Sequence, residues 1–245
     1  MKQAILLSLI ASLFIAGCSF EESYYDSSPE AGTGGSTARF TVNKNHLYTV
    51  DVNNLHTFDI GDASKLNYKG MQYVGFGIET IFPINDLLFL GARNGMYIYN
   101  LTNPDQPRQE SYTSHFMSYD PVVVKGDYAY VTLRSWGNNK LQIYNISKIN
   151  NPTFVKEYDM SAPRGLSVDG NLLFVCDDML KVYSITNGTD LELLHEFNIS
   201  ANDVIAKEGH LFVTADDGLY QYSYNNEEME LLNKIPLEYA TLENK

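Results

Sequence analysis

The chain has 245 residues, with 17 Lys+Arg against 30 Asp+Glu and a formal net charge of −13. Its length suits one domain, or one repeat array, with a sizeable core. The acidic balance argues against a nucleic-acid backbone or an anionic lipid surface as an electrostatic partner. Two Cys cannot form a disulfide scaffold.

In chain order, residues 1–3 carry one positive charge, and residues 4–16 form an apolar run broken by Ser8 and Ser12. The run is too short to span a bilayer, which takes about 20 apolar residues, and fits the hydrophobic part of an export signal. It ends Ile15-Ala16-Gly17-Cys18, small residues leading into a Cys, as in a bacterial lipobox. The reading is a lipoprotein signal peptide over residues 1–17, with Cys18 diacylated and tethered to the membrane; two acyl chains anchor stably where one does not. Residues 18–36 are rich in Ser, Glu and Gly, with no apolar periodicity, and read as a flexible tether. Ser19 after the lipidated Cys is compatible with outer-membrane sorting. Glu21-Glu22 resembles the acidic signal that carries some Bacteroidetes lipoproteins to the cell surface. Cys176 falls in an apolar run and reads as an inert buried thiol.

From residue 37 the chain repeats. Tyr48, Phe89, Tyr130, Phe174 and Phe212 recur every 38–44 residues. A second ladder, Phe58, Tyr99, Tyr144, Tyr183 and Tyr222, recurs every 39–45 residues. Each unit holds four short β-branched and aromatic runs bounded by turn residues, which predicts strands. In the second unit these cover 78–84, 87–92, 96–101 and 109–114. Four antiparallel strands in about 40 residues, repeated, predict a propeller blade, and a ring protects the edges that separate sheets would expose. The fold class is therefore all-β: a five-bladed β-propeller over 37–240, with blades at about 37–76, 77–117, 118–161, 162–200 and 201–240, and a tail at 241–245.

The repeats resemble those of the LVIVD-repeat family of bacterial propeller lipoproteins. The carrying pattern is a strand ending aromatic-Asn/Asp-Ile/Leu followed by a Pro-containing turn. It stands in Tyr99-Asn100-Leu101-Thr102-Asn103-Pro104-Asp105-Gln106-Pro107 and in Tyr144-Asn145-Ile146 through Asn151-Pro152. Units four and five depart from it, with Asn187-Gly188 and Asn225-Asn226 in place of the Pro turns. The resemblance implies the fold and an envelope location, and supplies no catalytic motif.

Ten residues before each first-ladder aromatic stand Ala38, Glu79, Asp120, Arg164 and Asn202. Four are polar and fall where the chain enters the innermost strand, so they should ring one mouth of the channel. The loop between the second and third strands of unit three is about four residues longer than its counterparts. It contains Arg134 and Trp136, the single Trp of the chain, and shares the face of the polar ring. An exposed aromatic beside polar groups suits a sugar or a partner anchor. Asp177-Asp178 and Asp216-Asp217 read as turn formers. No zinc spacing, phosphate loop or nucleophile elbow is present, and no cofactor or metal is expected.

The expectation is an outer-membrane-anchored, non-enzymatic binding module for a protein partner or glycan, using Glu79, Asp120, Arg164, Asn202, Arg134 and Trp136. The alternatives are a structural envelope component without ligand, or a propeller glycoside hydrolase or lyase using Glu79 and Asp120.

Overall fold

The computed structural model describes residues 35–115, 121–225 and 228–237. It is all-β: twenty strands in five four-stranded antiparallel sheets, each sheet in plain sequence order. Blade 1 holds β1 (Phe40–Asn43), β2 (His46–Val50), β3 (Asn54–Asp59) and β4 (Asn67–Tyr73). Blade 2 holds β5 (Ile78–Ile84), β6 (Leu87–Ala92), β7 (Gly95–Asn100) and β8 (Arg108–Ser114). Blade 3 holds β9 (Val122–Lys125), β10 (Tyr128–Leu133), β11 (Lys140–Asn145) and β12 (Thr153–Asp159). Blade 4 holds β13 (Leu166–Asp169), β14 (Leu172–Cys176), β15 (Leu180–Ser184) and β16 (Glu192–Phe197). Blade 5 holds β17 (Ala201–Lys207), β18 (His210–Ala215), β19 (Gly218–Tyr224) and β20 (Met229–Pro236). The expected strands of blade 2 are present, with the third and fourth beginning one residue early.

The first hairpin of every blade closes through a two-residue loop whose first residue has left-handed φ, between 52° and 57°, at Lys44, Asn85, Gly126, Gly170 and Glu208. That backbone twist matches the twist of the strands it joins. The innermost strands pack in series, β1 on β5, β5 on β9, β9 on β13 and β13 on β17. Strands β6, β10 and β14 are buried almost throughout, because a neighbouring blade covers each face.

The first aromatic ladder explains this packing. Tyr48, Phe89, Tyr130 and Phe174 are all 0–1% exposed. Two of them reach the next blade's third turn: Tyr48 Oη donates to the Pro104 carbonyl at 2.9 Å, and Tyr130 Oη to the Gly188 carbonyl at 2.7 Å. Phe212, the fifth rung, is 39% exposed. Strands β2 and β18 alternate between buried and open residues, as sheets covered on one face do. The uncovered face of blade 1 shows Phe40, Val42 and Tyr68, and that of blade 5 shows Phe212, Leu219 and Ile235. Among the described residues, core clusters join blade 1 to 2, blades 2 to 4, and blade 4 to 5, and none joins blade 5 to blade 1.

Polar contacts bridge that junction instead. Ser36, read from sequence as the end of the tether, is 2% exposed. Its Oγ donates to Asp203 of β17 at 3.1 Å and accepts the Leu166 N–H of β13 at 2.7 Å. Thr37 donates to the same Asp203 carboxylate from its N–H at 3.3 Å and from its Oγ1 at 2.5 Å. The Ala38 carbonyl accepts the Ile81 N–H of β5 at 3.0 Å. Residues 35–38 thus cross one mouth of the ring, tied to blades 4 and 5 on one side and blade 2 on the other.

Candidate functional site

The sequence-predicted mouth residues sit where the inner strands break register. β5 is bulged between Ile78 and Thr80, and β17 between Ala201 and Asp203, so Glu79 and Asn202 are the extra residues of two equivalent bulges. A bulge turns its extra side chain out of the strand's alternation, and here it re-aims a polar residue at the mouth. Arg164 precedes β13 in the same relation: its N–H donates to the Cys176 carbonyl at 2.7 Å, and the Cys176 N–H donates to Gly165 at 2.9 Å. Asp120 and Cys18 lie outside the described residues.

At this mouth lies a cavity of about 780 Å³. Its lining brings together four of the predicted residues, Glu79, Arg134, Trp136 and Arg164, with Arg39 from the start of blade 1. Asn202 does not line it; it supports Arg164 from behind. The Arg164 guanidinium donates to Asn202 Oδ1, and Asn202 Nδ2 donates to Asp216 Oδ1 at 2.8 Å. Arg164 is therefore oriented by a neutral amide, which leaves its positive charge uncompensated at that contact. Glu79 does not pair with Arg164. Its Oε1 accepts Arg93 Nε at 2.9 Å, across Gly77 at φ +69°, where a Cβ would lie 2.8 Å from the Arg93 side chain.

The cavity wall at residues 161–164 is fixed from three directions. Asp177, whose side chain is fully buried, accepts the N–H of Ser161 at 3.0 Å and of Ala162 at 2.5 Å, and holds Lys181 Nζ at 2.8 Å. Thr132 Oγ1 donates to the Arg164 carbonyl at 2.6 Å. Asn139 Nδ2 donates to the Ser161 carbonyl at 2.5 Å and ties the long β10–β11 loop to the same wall. Within that loop Asn139 Oδ1 accepts the Ser135 N–H at 3.1 Å, and Gly137 takes φ +80°. The loop is thus pinned at its base, and it holds Trp136 wholly in solvent at the cavity rim. Asp177-Asp178 organise this wall and Lys181; among the described residues no group of three or more His, Cys, Asp or Glu is placed to hold a metal ion.

Three contributors escaped the sequence reading. Arg39 and Asp203 each stand one residue past a counted ring position, Ala38 and Asn202, and at Asp203 the fixed ten-residue count does not register the bulge. Arg93 pairs with Glu79 from the turn after β6. Its only signal in sequence was its place in Arg93-Asn94-Gly95.

The LVIVD repeat profile matches residues 34–72 and 119–160, the segments of blades 1 and 3. No curated protein matches the chain significantly. Among solved structures, the chain resembles a protein from Lactobacillus plantarum at 15% identity and TM-score 0.65, covering 78% of this chain and 67% of that one. It resembles the Pseudomonas aeruginosa periplasmic gluconolactonase PpgL at 12% identity and TM-score 0.60, with 82% and 69% covered. It also resembles BamB from Moraxella catarrhalis at 11% identity and TM-score 0.58, with 74% and 56% covered. The chain spans about two thirds or less of the length of these proteins, and at such identities the likeness is one of fold. The chain is a five-bladed β-propeller, two of whose blades match the LVIVD repeat.

Proposed function

We propose that this chain is a binding module, held at the outer membrane by lipid on Cys18, that takes a polar ligand such as a glycan into the cavity at the propeller mouth. The observation that carries this reading is the convergence of Trp136, fully exposed on a pinned loop, with Arg39, Arg134 and Arg164 around one cavity. Its volume lies within the ~300–1,000 Å³ usual for ligand sites. Trp136 is fully exposed, so its ring stands free to meet a ligand. The hydrolase alternative needs Glu79 to work with Asp120, yet Glu79 is engaged by the Arg93 guanidinium. Binding is therefore the favoured reading.

The test is glycan-array and pull-down binding by the full-length lipoprotein, its Trp136→Ala variant, and a variant in which 134–139 is shortened to a tight turn. Both variants should fold and lose the ligand; undiminished binding would refute the placement of the site. Metabolic labelling with a clickable fatty acid tests the anchor. Label should appear on the parent and vanish in Cys18→Ala, and label-free parent protein would remove the anchor from the proposal.

A further inference from the structure

The whole chain contains five arginines and twelve lysines. Three of the five arginines, Arg39, Arg134 and Arg164, line the mouth cavity, and a fourth, Arg93, pairs with the lining residue Glu79. None of the ten lysines among the described residues lines it. In a chain with a formal charge of −13, this gathers guanidinium groups at one concave place. Arginine differs from lysine in presenting a planar fork of donors that matches the two oxygens of a carboxylate or the edge of a sulfate. A site selected for positive potential alone would accept either residue.

Two of these guanidinium groups, on Arg39 and Arg164, pair with no carboxylate among the described residues. Arg164 is oriented by the neutral Asn202 side chain. Arg39 makes no side-chain hydrogen bond or ion pair among the described residues, and it is exposed beside Thr37. Of the described lining residues Glu79 alone is acidic, and Arg93 already engages it. The rest of the polar lining is hydroxyl and amide: Thr37, Thr80, Ser135, Asn139 and Ser161. These groups exchange hydrogen bonds with hydroxyls, and the flat face of Trp136 at the rim offers a surface for the C–H face of a sugar ring. Resting on the reading of this cavity as a ligand site, we propose that its ligand is a short acidic saccharide, with uronate-type carboxylates held by Arg39 and Arg164 and a sugar ring stacked on Trp136.

The experiment uses the full-length lipoprotein in detergent and follows the fluorescence of its single Trp. The probes are trigalacturonate, neutral maltotriose, an oligoglutamate peptide of equal charge, and inorganic sulfate. Trigalacturonate should give a saturable shift, with maltotriose at least ~10-fold weaker, because it lacks the carboxylates that make charge-assisted contacts to the guanidinium groups. Arg39→Gln and Arg164→Gln should each weaken trigalacturonate by about tenfold, a ratio equal to ~1.4 kcal/mol. Arg108→Gln, on the outer strand of blade 2 beside Glu110, should leave binding unchanged and so separates the site from bulk charge. Equal binding of maltotriose would overturn the acidic ligand and leave the ligand site standing. Equal binding of oligoglutamate would overturn the saccharide and point to an acidic peptide. Response to sulfate alone would reduce the site to an anion clamp. Silence to every probe would overturn this inference and the binding reading together.

Discussion

The five rungs of the first aromatic ladder offer a direct measure of whether the ring is sealed. Phe174 is 1% exposed, covered by the turn of blade 5 and packed edge-on against Tyr224 with ring centroids 4.8 Å apart. Phe212 occupies the same position in blade 5 and is 39% exposed, because no blade covers its outer side. Truncating a buried phenyl to Ala costs ~3–5 kcal/mol, part for transfer to water and part for the void left behind. Phe174→Ala should incur all of this. At Phe212 roughly six tenths of the transfer part survives and the open side encloses no void, so the cost should be about 1.5–2 kcal/mol. Urea unfolding of the full-length protein followed by far-UV circular dichroism would measure both. With a slope of about 3 kcal/mol/M the midpoints should fall by roughly 1–1.7 M for Phe174→Ala and by about 0.5–0.7 M for Phe212→Ala. Equal shifts would refute the reasoning, since Phe212 would then be as covered in solution as its counterparts.

Tyr48→Phe and Tyr130→Phe should each cost ~1 kcal/mol by the same assay, because each leaves a turn carbonyl, at Pro104 or Gly188, without its donor. Gly170→Ala should cost about 1 kcal/mol from backbone strain alone, since φ is +55° there and a Cβ would meet nothing within 4 Å. Burial pushes the Cys176 thiol well above its ordinary 9.0, so a thiol reagent should label it only after unfolding. Asp51 lies below its ordinary 3.8, because the Asn53 N–H, the His56 ring and the Asn54 amide all hydrogen-bond its charged form. A depressed carboxylate contributes fully above the unfolded value and is lost as pH falls below it, so the melting temperature of Asp51→Asn should fall less steeply than the parent's below about pH 4.

The fold was legible because each blade repeats its own chemistry. The aromatic of the second strand and the turn residues of the first hairpin recur at one period in every blade, the Asn-Pro stop after the third strand recurs in blades 2 and 3, and each is local in sequence. The third strands nevertheless begin one residue early in places, since Gly95 pairs with Ser114 and continues a ladder that its lack of side chain seemed to end. Glu79, Arg134, Trp136 and Arg164 could be placed on one face because strand direction alone fixes which loops share a mouth. Asp203 and Arg93 could not, because their roles come from a bulge and from contacts 14 to 167 residues apart in the chain, and the ten-residue count stopped one residue short of Arg39. Ser36 was hidden for a different reason. Its neighbours Gly34, Gly35 and Thr37 have the composition of a linker, and only the carboxylate of Asp203 and the N–H of Leu166 make it structural.

Closure and recognition meet at this last feature. Thr37 and Arg39 line the cavity, and residues 36–37 are held by Asp203 rather than by an apolar seam between blades 5 and 1. Such a tie is partly exposed and rests on a few hydrogen bonds, so it opens far more readily than the packed junctions elsewhere in the ring. A ligand gripped by Arg39 on blade 1 and Arg164 on blade 4 would span this weak seam from the inside. Its binding energy would then add to that of Asp203 in holding blade 1 to the ring, by the same linkage through which any ligand stabilises the state it binds. The open junction and the arginine-lined mouth would then be coupled: a ligand bridging Arg39 and Arg164 would tie blade 1 to blade 4 across the mouth and so reinforce the ring beside the open junction.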